Sequence, residues 1–284
     1  MTRVSTDVEF YHGIKGPLFR VVRTPEKIHA QLLFIAPLFE QANQTRHHIT
    51  RSAINAYHHG LKSIVFDHYG TGDSHGELID SNLELWQQDI LCQLRELKAQ
   101  STQAIYLSLP LSAALLLTGE MLSLTDGVML LQPDFNGKRF VQQFKRLALA
   151  AQLTKDNSTQ GYKFNNPDLN EEQVVEISGY VMQPELLNEL AGQNINKLVD
   201  FNADFYWFEW QEKSEVLSPS RIKQQVLANK HNKLSIQQVD DVKFWQATEL
   251  QVAQSFLTKE QTLFSQLTLS TSKSTSVSSE AETN

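Results

Sequence analysis

With 284 residues, 41% of them hydrophobic and 20% charged, the chain is the size of one large α/β domain or two small ones. It has enough apolar mass for a core, which excludes a disulfide mini-protein, a collagen and a disordered chain. Twenty-five Lys and Arg against 32 Asp and Glu give a formal charge of -7, the wrong sign for a surface that gathers phosphate backbones, so nucleic acid is not an expected partner.

The single cysteine, Cys92, can make neither an internal disulfide nor a multi-thiolate zinc site, and no cofactor is implied. Residues 1–10 are polar and acidic where a signal peptide would be basic and then apolar. The strongest apolar run, 104–117, is broken by Ser108, Pro110 and Ser112 and falls short of the roughly 18 residues of a spanning helix. The expectation is a cytoplasmic protein with no membrane span.

In chain order, residues 8–12 and 18–22 are short β-rich runs separated by Gly13, Gly16 and Pro17, a hairpin pattern. Residues 31–36 form a continuous apolar run closed by Pro37, which reads as a strand buried on both faces. Residues 45–59 turn helical, with Ile49, Ala53, Ile54 and Tyr57 spaced along one face and Gly60 in the C′ position. Residues 63–66 are the next buried strand and run into a loop, 67–76, that carries three glycines. The loop lacks the GK[ST] ending of a phosphate cradle and reads as a backbone turn. A helix over 83–97, a strand over 104–109, a helix over 111–122 and a strand over 127–131 continue the alternation. Strands alternating with helices of this length predict a doubly wound, mostly parallel sheet.

Between 136 and 196 the rhythm breaks. Residues 140–153 and 184–191 read as helices joined by a polar stretch, so this segment is expected as a helical insert capping one edge of the sheet. The alternation resumes with an aromatic strand, 204–210, a helix over 219–228 capped by Ser218, a strand over 234–239 and a last helix over 247–267. Residues 270–284 are rich in Ser and Thr and are expected to be a disordered tail. The expected organisation is therefore a core of 1–135 with 197–269, a cap of 136–196 and a tail of 270–284.

A hairpin, then βα units, a helical insert after the sixth strand and two further βα units is the order of the α/β-hydrolase fold. Several runs narrow it further. They are Pro37-Leu-Phe-Glu40 with Asn43 and Arg46; Asp67 with Gly70-Thr-Gly72-Asp-Ser74 and Gly76; and Trp86 with Asp89. Downstream come Leu131-Gln-Pro133, Gly137-Lys138, Gln143-Phe144, Glu176-Ile-Ser-Gly179-Tyr180, Leu217-Ser-Pro219 and Phe244-Trp-Gln246. Together they resemble the exosortase-A-associated hydrolases of the second type, from about Phe34 to Glu249. The resemblance implies a protein of bacterial exopolysaccharide and exosortase gene neighbourhoods, in a group whose nucleophile elbow tends to be degenerate.

The chemistry therefore rests on this chain's own residues. The fold sets its nucleophile on a tight G-x-S-x-G turn between the central strand and the next helix. The matching window is Ser108-Leu-Pro110-Leu-Ser112, which places Pro110 at the nucleophile position. Proline has no nucleophilic atom and its φ is locked near −65°, whereas the elbow needs a strained, positive φ. Pro110 is then expected to start the following helix. Ser108 and Ser112 are the remaining hydroxyls, but neither is flanked by the paired small residues the turn requires. The acid and the histidine should follow in order. Glu212 and Glu215 stand after the aromatic strand, Glu215 being the candidate acid, but no histidine follows strand 234–239, and His231 precedes it.

Eight of the nine histidines lie before residue 76. Those at 47, 48, 58 and 59 share one predicted helix without forming an i, i+4 pair, and His68 and His75 flank the glycine loop. No metal site is expected, and these histidines read as surface or loop residues. A ligand pocket is expected where the strands end, lined by Pro37, Leu38, Phe39, His68, Pro110, Gln132, Trp207, Trp210 and Phe244. The expected function is binding, of a small molecule or an exopolysaccharide-pathway protein, without a Ser-His-Asp triad. The alternative is an esterase- or thioesterase-like hydrolase using a non-standard nucleophile such as Ser108.

Overall fold

The computed structural model describes residues 4–154, 174–198, 203–212, 216–230, 233–247 and 249–280, with 147–154 and 270–280 described by their backbone alone. Strands β1 (Asp7–His12) and β2 (Pro17–Arg23) form the predicted hairpin. β3 (Ala30–Phe34), β4 (Leu61–Phe66), β5 (Ala104–Pro110), β6 (Gly127–Leu131), β9 (Asp204–Trp210) and β10 (Lys233–Val239) complete an eight-stranded sheet. Its order is β1-β2-β4-β3-β5-β6-β9-β10. β2 runs antiparallel to β4, and every neighbour from β4 to β10 is parallel. This is the doubly wound, mostly parallel architecture that the alternating runs predict.

Parallel strands covered on both faces need apolar residues at successive positions, because neighbours in a strand point to opposite sides. Leu32 and Leu33 are both fully buried, yet they belong to different cores. Leu32 joins α1 (Glu40–His58) and α7 (Gln254–Glu280) on one face. Leu33 joins α2 (Leu83–Gln100) and α3 (Gly119–Leu124) on the other, with Ala228 of α6 (Pro219–Ala228). The caps are local: Asn82 accepts from the Leu85 amide at 2.7 Å, and Ser218 from the Arg221 amide at 3.3 Å.

Between β6 and β9 lie α4 (Gly137–Thr154), β7 (Val175–Ile177), β8 (Tyr180–Met182) and α5 (Pro184–Ala191). The insert thus contains a small antiparallel hairpin that hydrophobic patterning passes over, since its strands are three residues long. Ser178 and Gly179, at φ 53° and 84°, supply the two positive-φ positions of its turn. Ile177, Met182, Leu186 and Leu190 join the main core, so the insert packs as part of the body.

Three further differences bear on the site. The expected helix over 111–122 is a 3-10 turn, Leu111–Leu115, followed by α3, because the Thr118 side chain accepts from the Met121 amide at 3.3 Å and starts a new helix. Pro110 ends β5 in an extended conformation and does not open a helix. At the C-terminus, a non-helical strap precedes α7, and the helix begins at Gln254 and continues to Glu280, through the Ser/Thr-rich stretch expected to be disordered. Asp241 starts it, its Oδ2 accepting from the amides of Ser255 (2.7 Å) and Phe256 (3.2 Å). Propagating an anchored helix costs far less than nucleating one.

Candidate functional site

The elbow of this fold stands at the carboxyl end of β5. Pro110 has φ −77° and ψ 138°, ordinary extended backbone, and the positive φ of 51° falls on the next residue, Leu111. The turn is therefore built, one position later than the sequence window indicates, and it presents an isobutyl group. A bulky residue in this region is strained by roughly 1–2 kcal/mol, so its surroundings must hold it. The Asp134 amide donates to the Leu111 carbonyl at 3.0 Å, and the side chain is 5% exposed.

In this fold the oxyanion of an acyl intermediate is held by two amides, one just after the nucleophile and one from the loop after the third strand. The corresponding amides are those of Ser112 and Leu38, and both are occupied by the protein itself. Ser112 Oγ accepts from the Leu38 amide at 2.9 Å, and Gln41 Oε1 accepts from the Ser112 amide at 3.1 Å. Ser112 is fully buried, so this hydroxyl, a candidate nucleophile on sequence grounds, is tied into the turn. Ser108 is 1% exposed, paired between β3 and β6, and lines neither of the cavities described below. Glu215 and His231 lie outside the described residues.

Around Leu111 opens a cleft of about 820 Å³. Gln132 and Trp210 line it, and the Trp210 amide donates to Gln132 Oε1 at 2.7 Å. Its charged wall escaped the sequence reading. Arg221 donates through Nε to both oxygens of Glu209 at 2.7 and 2.8 Å, and Trp207 Nε1 donates to Glu209 Oε2 at 2.6 Å. Arg139 pairs with Asp134 at 2.9 Å. Glu209 is in the aromatic strand and only 2% exposed; the available signal was an acid between Phe208 and Trp210, inside the aromatic run of the strand. Trp207 lies beneath the Arg221 guanidinium, 4.8 Å from its ring centroid, fully buried and outside the cleft.

Where the fold keeps its base, after β10, Phe244 turns inward. It stacks on His48 of α1 with ring centroids 3.9 Å apart and lines neither cavity. His48 Nε2 accepts from the Ala253 amide at 3.0 Å, and burial pulls its pKa down to about 4. His47 Nε2 lies 2.9 Å from the Gln251 carbonyl. These two histidines therefore fasten the strap before α7 onto α1, and His48, at 2% exposure, is no surface residue. His68 is likewise buried: its Nε2 lies 3.0 Å from the Ala36 carbonyl, and burial holds it neutral. Desolvation disfavours the imidazolium in both. Among the described residues, no group of three His, Cys, Asp or Glu could hold a metal ion.

Pro37, Leu38, Phe39 and His68 line a second cavity, of about 750 Å³, on the other side of the start of α1. The structure thus divides the expected pocket residues between two cavities and leaves Pro110, Trp207 and Phe244 in neither. Phe39 has φ 55° and stacks on Phe144 of the insert at 4.4 Å. The glycine loop beneath is a structural turn: Gly72, at φ 55°, leaves no room for a Cβ beside the Asp67 carboxylate, and Ser74 Oγ donates to the Asp67 carbonyl at 2.6 Å. The other motif residues are anchors too. Trp86 Nε1 donates to the Tyr69 carbonyl at 3.0 Å, and Asp89 Oδ1 accepts from the Ile14 amide at 2.8 Å.

Neither a family model nor a curated protein matches the sequence. Solved structures match it over nearly its whole length. Est1E from Butyrivibrio proteoclasticus, solved with ferulic acid bound, has a TM-score of 0.64 at 13% identity, covering 93% of this chain and 98% of that one. A soluble variant of monoglyceride lipase from Saccharomyces cerevisiae, solved with a substrate analogue, has a TM-score of 0.61 at 10% identity, covering 94% and 96%. An alpha-beta serine hydrolase homologue from Coxiella burnetii has a TM-score of 0.52 at 13% identity, covering 93% and 99%. The chain has the α/β-hydrolase fold; at these identities the likeness speaks for the fold alone.

Proposed function

We propose that this α/β-hydrolase-fold protein acts by binding, without acyl chemistry, and that it serves a bacterial exopolysaccharide or exosortase system. The carrying observation is the elbow. Acyl transfer needs a nucleophile and two amides left open for the developing oxyanion. Here Leu111 has no nucleophilic atom, and the amides of Leu38 and Ser112 are taken by Ser112 Oγ and Gln41 Oε1. Ser108, the alternative nucleophile, sits inside the sheet away from both cavities.

The cleft at Leu111 supports the binding half of the proposal. Its wall combines glutamine amides with arginines and the edge of Trp210, a set suited to a hydroxylated small molecule. The exopolysaccharide setting rests on the resemblance of the motifs from Phe34 to Glu249, and a cytoplasmic location belongs to the same proposal. Among the described residues, no helix is long and apolar enough to cross a membrane. Fluorophosphonate treatment followed by intact-mass measurement tests the non-catalytic reading: no adduct is expected, and a stoichiometric adduct on any serine would overturn it. Exosortase and glycosyltransferase genes flanking the coding sequence are the expected context, and their absence would remove the exopolysaccharide half.

A further inference from the structure

The second cavity contains a charge that nothing in the fold explains. Arg23, the last residue of β2, is 9% exposed and lines the cavity, and it has no hydrogen-bond or ion-pair partner among the described residues. Burial lowers its pKa, and no carboxylate opposes the effect. An unpaired buried guanidinium is costly, and proteins seldom keep one without an anion to meet it.

The cavity wall shows what else the anion must carry. Arg23 stands opposite Ser63 in the β2–β4 ladder, and the Asp67 amide donates to the Phe19 carbonyl at 3.0 Å. The four residue steps from Ser63 to Asp67 span roughly 13 Å at the strand rise. Along the strands between the two ends the wall is apolar, formed by Val21, Val65 and Ile49, while Phe66 and Trp86 pack against His68 at the Asp67 end and the Tyr180 hydroxyl of the insert hairpin accepts from Asn43 of α1 at 3.1 Å. The far end is acidic: Asp67, Glu77 and Asp80 line it, and Arg46 pairs with Asp67 at 3.4 Å. Burial pulls the pKa of His68 at that end below the ordinary imidazole value. With Arg46 paired to Asp67, the three carboxylates outnumber the cation at that end, so a negative group is drawn to the Arg23 end, where one guanidinium without a carboxylate partner matches a single charge.

We infer that this cavity binds a carboxylate with an unbranched apolar tail, a medium-chain fatty acid, with its head on Arg23 and its chain running toward Trp86. The site is separate from the cleft at Leu111, so it stands whether or not the elbow is catalytic.

The test is calorimetric titration of the full chain with decanoate, below its micellar concentration, and with 1-decanol as the uncharged analogue. Decanoate is expected to saturate at one equivalent. Arg23→Met, which keeps the length of the side chain and removes an unpaired charge, should weaken decanoate by about tenfold or more, the ordinary worth of a charged hydrogen bond. It should leave 1-decanol unchanged. Thr50→Trp, at an exposed position on the cavity rim, should abolish binding of both, and it decides the matter if Arg23→Met fails to fold. Absence of saturable decanoate binding, equal decanoate affinity in Arg23→Met, or full affinity in Thr50→Trp would each overturn the inference.

Discussion

Glu260 of α7 faces α1 with 0% exposure, and neither of its carboxylate oxygens has a hydrogen-bond partner. Burial pushes its pKa up from 4.5 to about 8, against the opposing pull of the nearby Ser52 and Asn55 side chains. Because the folded value lies above the unfolded one, the native chain holds the extra proton between the two. The stabilisation is complete below about pH 4.5, declines as pH rises toward 8 and is gone above it. At ~1.4 kcal/mol per pH unit, the window between the two values corresponds to roughly 5 kcal/mol. Glu260→Gln copies the neutral acid without a proton to lose. It is expected to match the parent near pH 4.5 and to exceed it by about 4 kcal/mol at pH 8. Urea unfolding of both proteins at pH 5, 6.5 and 8 measures the gap. His48, held near 4 by burial, lowers stability on the acid side in both proteins and cancels in the difference. Parallel stability profiles across the three pH values would mean that Glu260 ionises freely in the folded state.

Other substitutions separate structural roles from chemical ones. Ser112→Ala strands the Leu38 amide and should cost about 1–3 kcal/mol in urea unfolding; a cost near zero would show that the bond is not holding the turn. Glu209→Ala leaves Arg221 buried and unpaired and should cost about 3–5 kcal/mol, most of it recovered in the double variant Glu209→Leu, Arg221→Met. Failure of the double variant to recover stability would place the cost in the Trp207 and Gln225 bonds to Glu209 rather than in the stranded Arg221 charge. Leu111→Ser puts a hydroxyl on the elbow, yet it should confer no turnover of p-nitrophenyl butyrate, since both oxyanion amides remain occupied; a rate well above background would mean that they open on demand.

The sheet was legible because its inner strands must be apolar on both faces: β6 and α6 occur with the bounds that Pro133 and the Ser218 cap suggest. The elbow was misread by one residue for a physical reason. Proline's fixed φ is compatible with a strand end, so Pro110 closes β5 and the strain passes to Leu111, and leucine gives no sign in the sequence of a positive φ. The histidine skew had a cause that no local period could show, because His47 and His48 meet Gln251 and Ala253 some two hundred residues away. Likewise the residues expected to share one pocket are parted by the start of α1, where Phe39 takes a positive φ that its neighbours in the chain do not foretell.

On the proposed reading the elbow at Leu111 performs no acyl transfer. Turnover of p-nitrophenyl butyrate by the unaltered protein, measured beside Ser108→Ala and Ser112→Ala, tests it most directly. The predicted result is a rate equal to buffer for all three proteins. A saturable rate in the unaltered protein that disappears with either serine would contradict the claim.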